Sequence, residues 1–305
     1  MTELEKIAAY MDENGIAYER NVPGAELTTF RTGGPVALVA KPLYWGQALA
    51  LHNAAKELGA KSFVIGNGSN LLIPDRGLDC LFIKLGGEFN EFFMEGSTLI
   101  CGAGASMAAA AKYSVAKGFM GLEWAAGIPG TVGGAVAMNA GAYGGEIKQV
   151  LKEVVAINEC GLVHCKVDPG LLSYRKSAYS YPDMMLLEAR FELLPDDGGA
   201  KERMEDYSAR RRDKQPLNYP SAGSTFKRPE GFFAGKLIED AGLKGFCVGG
   251  ACVSEKHAGF IINRGGATSS DILALIDHIR RTVFEKYGVM LEPEVKILKE
   301  SGTDD

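Results

Sequence analysis

GIPGTVGGAVAMNAGAYGGE, running from Gly127 to Glu146, holds seven glycines in twenty residues and no charge before its final glutamate. Each glycine gives up more backbone freedom on folding than any other residue, so such a run is costly in chain entropy. A chain carries it where the backbone must turn through positive φ or lie close to something bulky. A phosphorylated cofactor held by main-chain N–H groups, rather than by lysines and arginines, fits that need. The uncharged stretch from Trp124 to Gly145 is nominally long enough to span a bilayer. It is broken by Pro129, Asn139 and its glycines and has few large aliphatic side chains, so its transfer into lipid is unfavourable.

The rest of the chain sets the class. Its 305 residues suffice for two or three domains with real cores. A hydrophobic share of 46% and a charged share of 23% are those of a globular protein, and a net charge of −5 provides no basic field for nucleic acid or anionic membrane. The opening MTELEKIAAYMDENG has neither a positive n-region nor an apolar h-region, so no secretory signal is expected and a cytoplasmic location is. The cysteines at 80, 101, 160, 165, 247 and 252 form no C-x-x-C pair. They are expected to be reduced thiols, and with His164 and His257 off zinc-site spacing no metal is expected.

Hydrophobic periodicity predicts a helix over the first fifteen residues, with Leu4, Ile7, Ala8 and Met11 on one face. The segment TTFRTGGPVALVAKP, from Thr28, reads as strand, turn and strand. A helix follows over Trp45–Leu58, then the strand Ser62–Ile65 breaking into Gly66-Asn67-Gly68-Ser69-Asn70. Ser106 stands as the N-cap of a helix over Met107–Lys117. Val150–Asn158, Leu162–Val167 and Met185–Leu193 read as strands, and Pro195–Gly199 as a boundary. Beyond it come helices over Lys201–Lys214, Gly235–Ala241 and Ser270–Tyr287, with strands over Cys247–Val253, Phe260–Asn263 and Val295–Leu298. The class is α/β, in a broad sense that includes α+β.

Several segments carry candidate chemistry. Gly66–Asn70 follows a strand, where an α/β protein places a phosphate-binding turn, yet it lacks the third glycine of the dinucleotide fingerprint and there is no P-loop lysine. Any nucleotide is therefore held in a non-Rossmann way. Tyr174-Arg175-Lys176-Ser177 clusters cationic groups after a turn, and Arg210–Lys214 could neutralise a diphosphate. Ser221–Lys227 offers two serines with no G-x-S-x-G elbow, so a proton-donating hydroxyl is a better reading than a nucleophile. Leu291–Val295 sets Glu292 and Glu294 about a proline, and Glu294 opens the last strand.

Taken in order, TTFRTGG at Thr28–Gly34, GNGSNLL at Gly66–Leu72, GLEWAAGIPGTVGGAVAMNAGAYGGE at Gly121–Glu146, YRKS at Tyr174–Ser177, SAGSTFKRP at Ser221–Pro229, AGKLIEDAGLKG at Ala234–Gly245 and LEPEV at Leu291–Val295 closely resemble the UDP-N-acetylenolpyruvoylglucosamine reductase family. The resemblance covers roughly residues 25 to 299. It implies a two-subdomain FAD-binding domain of the vanillyl-alcohol oxidase (PCMH) type, over 1–195 with subdomains about 1–78 and 79–195. A C-terminal α/β substrate-binding domain would occupy 196–305, its last strand free to return to the first subdomain.

The implied cofactor contacts are Arg31 and Thr32 beside the flavin, and Gly66, Asn67, Gly68, Ser69, Asn70, Gly127, Pro129, Gly130, Gly133, Gly134, Asn139, Gly141 and Ala142 around the pyrophosphate. NADPH is implied as co-substrate, reducing FAD, whose N5 hydride goes to C3 of UDP-N-acetylglucosamine enolpyruvate to give UDP-N-acetylmuramate for peptidoglycan. Arg175 would hold the carboxylate charge, Ser224 protonate C2 and Glu294 complete the carboxylate site. Tyr174, Arg211, Lys214, Lys227 and Arg228 would bind the substrate, Arg228 covering its diphosphate. Only forty-eight residues separate Arg175 from Ser224, which fits the subtype without the tyrosine-bearing loop. A flavin oxidase of the same fold acting on a small alcohol is the alternative, and a nucleotide-binding protein without catalysis a third. A monomer or weak dimer is expected, with no nucleic-acid or membrane partner.

Overall fold

The computed structural model describes residues 1–299 and the backbone of 302–303. Contacts divide the chain into two compact units that alternate along the sequence. The first takes Met1–Arg20, Leu38–Gly66 and Cys80–Arg210, and the second takes Asn21–Ala37, Asn67–Asp79 and Arg211–Asp305. The expected division at residues 195 and 196 lies just before the helix in which the units change. Pro195–Gly199 is a turn, with Asp196 Oδ1 accepting from the N–H groups of Gly198 and Ala200 and so starting the helix Ala200–Lys214. The change of unit falls within that helix, after Arg210. Turn residues mark where a chain reverses, which is not the same as where its packing partners change.

In the first unit the helix Glu3–Glu13 begins with a Thr2–Glu5 capping box and buries Ile7, Ala8 and Met11. A four-stranded sheet runs in the order Tyr18–Pro23, Pro35–Ala40, Leu78–Ile83, Ser62–Val64. The last two strands are parallel, Ser62 opposite Leu81 and Val64 opposite Ile83. The helix Trp45–Glu57 lies in the connection leading to Ser62–Val64. A five-stranded antiparallel sheet follows in the order Gly161–Lys166, Leu151–Asn158, Met185–Glu192, Thr98–Gly102, Phe92–Glu95. The inner strand Leu151–Asn158 buries Val154 to Ile157 in an unbroken run, whereas the edge strand Gly161–Lys166 alternates half-buried and exposed residues. The helix Met107–Ala116 starts as the sequence predicts, Ser106 Oγ accepting the Ala109 N–H at 3.3 Å. Phe89, Leu99, Leu187 and Phe191 are among the fully buried residues of this unit's core.

In the second unit a three-stranded antiparallel sheet, Cys247–Val248, Ala251–Val253 and Ile261–Asn263, shares a core with the helices Ala234–Asp240 and Ser269–Tyr287. Ser269–Tyr287 opens with a Thr268–Asp271 capping box and closes at Gly288, whose φ of 68° suits a residue without a Cβ. The single strand expected over Cys247–Val253 is a hairpin folded at Gly249-Gly250. Folding back sets Cys247 opposite Cys252, their Cα atoms 4.1 Å apart, and the two are joined in a disulfide. The expectation of six reduced thiols is therefore corrected, and the other four cysteines are thiols. The first strand expected in TTFRTGG is likewise absent. Thr28 Oγ1 lies 3.1 Å from Gly24 O and 3.2 Å from Thr32 O, Arg31 takes a φ of 56°, and the segment curls instead of extending. The strand Lys296–Lys299 runs parallel to Leu71–Leu72, pairing the end of the chain with its N-terminal quarter.

Candidate active site

The glycine-rich run folds into three short pieces, all in the first unit. The 3₁₀ turn Glu123–Gly127 leads through Pro129 and Gly130 to the helix Val132–Ala137, and Gly141–Ala142 then pairs with Gly145–Glu146. Thr131 caps the helix, its Oγ1 accepting the Gly134 N–H at 3.2 Å. The Val132 and Gly133 N–H groups donate to Ala105 O and Ala103 O, both at 2.8 Å. Gly133 and Gly134 thus do not offer the free N–H groups that the sequence suggested for a pyrophosphate. Gly133 serves close packing, since a Cβ there would stand 3.1 Å from the Ala103 side chain. Gly130 and Thr131 are buried residues whose N–H groups find no acceptor among the described residues. Buried unpaired N–H groups are rare in folded chains, so these two are better donors to an anionic ligand. Gly66 faces Thr131 and has no room for a side chain, a Cβ there meeting Thr131 Oγ1 at 2.3 Å.

Asn139, at the far end of the run, is 1% exposed. Its Nδ2 donates to Ser173 O at 3.0 Å and to Glu146 Oε2 at 3.2 Å, while its Oδ1 accepts the Lys148 N–H at 3.0 Å. The amide's donors and acceptor are thus all engaged within the protein. Ser173 and Lys176 pair across a two-residue turn made of Tyr174 and Arg175. Arg175 has a φ of 59°, its Nη2 donates to Gly141 O at 3.2 Å, and its guanidinium lies 5.0 Å from the centre of the Tyr174 ring. Tyr174 is exposed.

The remaining candidates lie in the second unit. Thr225 and Glu294 belong to one short antiparallel contact, with Phe226 opposite Pro293, the Glu294 N–H donating to Thr225 O at 2.7 Å and the Lys227 N–H to Glu292 O at 2.8 Å. Ser224, exposed, precedes the buried Thr225, whose Oγ1 accepts the Ile261 N–H at 3.2 Å. Asn70 joins the group, its Nδ2 donating to Glu294 O at 3.0 Å. Gly68 has a φ of 61° and would set a Cβ 1.9 Å from Leu27 O; its own carbonyl accepts the Thr29 N–H at 3.2 Å. Thr32 is buried and 3.2 Å from Ser269 Oγ. Among the basic residues, Lys227 Nζ pairs with Glu292 at 3.1 Å, Arg228 lies 4.0 Å from the Phe233 ring centre, and Arg211 and Lys214 end the helix Ala200–Lys214. No group of three or more His, Cys, Asp or Glu side chains able to hold a metal occurs among the described residues.

Comparison with known proteins decides the family. Residues 36–165 match the FAD-binding domain family, and residues 215–298 match the C-terminal domain of UDP-N-acetylenolpyruvoylglucosamine reductase. A reductase of that name from Clostridium perfringens is 43% identical over 278 residues, spanning 90% of this chain and 91% of its own. The chain belongs to the UDP-N-acetylenolpyruvoylglucosamine reductase family.

The reductase of Agathobacter rectalis is 46% identical over 313 residues, covering 98% of this chain and 99% of that one. The crystal structure of the family member from Thermus caldophilus superposes with a TM-score of 0.79 at 32% identity, covering 92% of this chain and 99% of that chain. The fold class read from the sequence, an FAD-binding domain with a C-terminal domain of this reductase family, is thereby borne out. The residues between Arg175 and Ser224 are taken up by the strand Met185–Glu192, the helix Ala200–Lys214 and short connections, with no long loop among them.

The residues present fit FAD. In the first unit, the donors at Gly130 and Thr131, which find no acceptor among the described residues, suit a diphosphate approached by backbone. One contributor, Thr131, is not among the residues singled out in the sequence. Thr131 was legible as a helix cap three residues before Gly134.

Proposed function

We propose that the chain reduces UDP-N-acetylglucosamine enolpyruvate to UDP-N-acetylmuramate with NADPH, a step in the synthesis of peptidoglycan precursors. It is an FAD-dependent oxidoreductase. The observation that carries the reading is the match to the reductase family along nearly the whole chain, including the C-terminal domain. That C-terminal match also disfavours the alcohol-oxidase alternative.

When bound, FAD would supply the hydride relay between NADPH and C3 of the enolpyruvyl group. The donors at Gly130 and Thr131 support binding of its diphosphate. As C3 gains hydride, negative charge develops at C2 and on the substrate carboxylate. Arg175 is assigned to that carboxylate, its cation fixed in place before charge appears, as effective electrostatic catalysis requires. Ser224 Oγ donates the proton to C2. Glu294, at the start of the last strand, completes the carboxylate site, and two neighbouring carboxyl groups share a proton more readily than both ionise. Tyr174, Arg211, Lys214, Lys227 and Arg228 are assigned to the nucleotide part of the substrate. Residues 1–195 and 196–305 are read as the cofactor and substrate parts of the sequence.

Both substrates are nucleotides made inside the cell, so the protein is read as cytoplasmic and as a monomer or weak dimer. No helix among the described residues is long and apolar enough to cross a membrane. The test is NADPH oxidation by purified holoenzyme with and without UDP-N-acetylglucosamine enolpyruvate. Oxidation that depends on the enolpyruvyl nucleotide is expected, and oxygen-coupled turnover of small alcohols without NADPH would overturn the reading.

A further inference from the structure

We infer that Asn139 is a positioning residue that sets the Arg175 guanidinium, and that it does not bind cofactor through its side chain. The inference rests on the proposed role of Arg175. An asparagine amide has two N–H donors and one carbonyl acceptor. In Asn139 all are engaged, on Ser173 O, Glu146 Oε2 and the Lys148 N–H. Ser173 is the last residue before the Tyr174–Arg175 turn, so the amide grips that turn at its root. Two residues past Asn139, Gly141 O accepts from Arg175 Nη2 and holds the guanidinium itself. A single three-residue stretch, Asn139 to Gly141, therefore fixes both the backbone entry to the turn and the charged tip of its arginine.

The turn needs that support. Arg175 has a φ of 59°, a left-handed conformation that residues with a Cβ adopt at a cost, and such strain persists only where neighbours over-determine it. Asn139 itself has a φ of 38°, a region in which asparagine is more comfortable than other residues carrying a Cβ. Both residues are thus held in unusual backbone conformations, and the hydrogen bonds between their segments are what keep the two in step. No other standard side chain of this size offers both donors to Ser173 O and Glu146 and an acceptor to Lys148. Aspartate keeps the acceptor and loses the donors. Glycine keeps the backbone and loses both.

The test uses Asn139→Asp and Asn139→Gly holoenzymes, each also in an Arg175→Ala background, with the two half-reactions followed separately by flavin absorbance. Asn139→Asp is expected to slow reduction of the enolpyruvyl substrate by on the order of 10- to 100-fold, the cost of a misplaced catalytic group. Flavin reduction by NADPH should stay within about threefold and FAD content should be unchanged if the residue acts only through Arg175. In the Arg175→Ala background the same substitution should cost less than about twofold more. Asn139→Gly should behave alike and serves if the aspartate variant does not fold. Full additivity with a damaging Arg175→Ala, or equal loss of FAD and of both half-reactions, would overturn the inference while leaving Arg175's role intact. A silent Arg175→Ala would instead remove the arginine's assigned role, and this inference with it.

Discussion

The Glu294 N–H donates to the Thr225 carbonyl oxygen at 2.7 Å, and this bond sets the serine segment and the C-terminal carboxylate in one register. With Lys227 N–H bonded to Glu292 O at 2.8 Å, it leaves Phe226 opposite Pro293 and Ser224 one position out of step with Glu294. Sixty-eight residues separate Thr225 from Glu294 along the chain, yet their backbones are fixed to each other directly. Asn70 adds a third segment, bonded to Glu294 O at 3.0 Å. Ser224 and Glu294 therefore sit on segments that share a scaffold of main-chain bonds, which holds them whatever their side chains do.

Arg175→Ala is expected to lower the rate of enolpyruvyl reduction by about 10²- to 10³-fold, a loss of roughly 3–4 kcal/mol if it acts like a typical preorganised donor to a developing anion. Arg175→Lys should recover little of this, since a lysine ammonium cannot reproduce the planar fork that binds a carboxylate through two bonds. Steady-state kcat and KM with the enolpyruvyl nucleotide measure both. A kcat within threefold of wild type for Arg175→Ala would remove the arginine from the mechanism.

Three glycines with different surroundings should rank in order when changed to alanine. Gly144 has a φ of 87° and nothing within 4 Å of its Cβ position, so it bears backbone strain alone, about 1–2 kcal/mol. Gly66 would collide with the Thr131 side chain at 2.3 Å, and a rotation of that side chain relieves part of the clash at the expense of the helix cap. Gly68 combines a φ of 61° with a Leu27 carbonyl at 1.9 Å, which cannot move without moving the backbone. Thermal denaturation should place Gly68→Ala lowest and Gly144→Ala nearest wild type. FAD retained on desalting should follow the same order.

Asp75 links stability to acid. Burial acts to raise its pKa, but hydrogen bonds from the Ser270 hydroxyl and from the Ser269 and Ser270 N–H groups outweigh it and hold the carboxyl below the usual aspartate range. With the folded value below the unfolded one, its stabilisation is complete above the unfolded pKa of about 3.9 and disappears as pH falls through the lower folded value. Asp75→Ala should therefore destabilise by about 1 kcal/mol at pH 7, the usual scale for a lost helix cap. Urea denaturation of wild type and variant should converge toward pH 3. A gap that stays constant from pH 7 to pH 3 would show that the charge is not what matters.

Much of the local structure is legible in the sequence because its causes are local. Ser106 and the apolar spacing after it are enough to start the helix Met107–Ala116, and the strands Leu151–Asn158 and Met185–Glu192 are marked by the apolar runs Val154–Ile157 and Met185–Leu187 within them. The glycine run announces a close backbone approach without saying which N–H groups stay free. That depends on Ala103 and Ala105 reaching Gly133 and Val132 across the fold, which leaves Gly130 and Thr131 as the available donors. Asn139 is expected from the sequence as a cofactor contact, and only the arrival of Ser173 from thirty-four residues away shows what its amide does. Cys247 and Cys252 look unpaired until the Gly249-Gly250 turn sets them face to face. Segments 21–37 and 67–79 belong with the C-terminal part for a reason of the same kind, bonds such as Ser269 N–H to Asp75 at 2.7 Å that no local pattern encodes.

The assignment of Ser224 as the proton donor to C2 carries the proposed chemistry, and separating the half-reactions of Ser224→Ala tests it most directly. Flavin reduction by NADPH should proceed at nearly the wild-type rate in this variant. Reoxidation by UDP-N-acetylglucosamine enolpyruvate should fall by at least about 10²-fold, the usual contribution of a positioned general acid. Equal slowing of both halves, or reoxidation at the wild-type rate, would contradict the account.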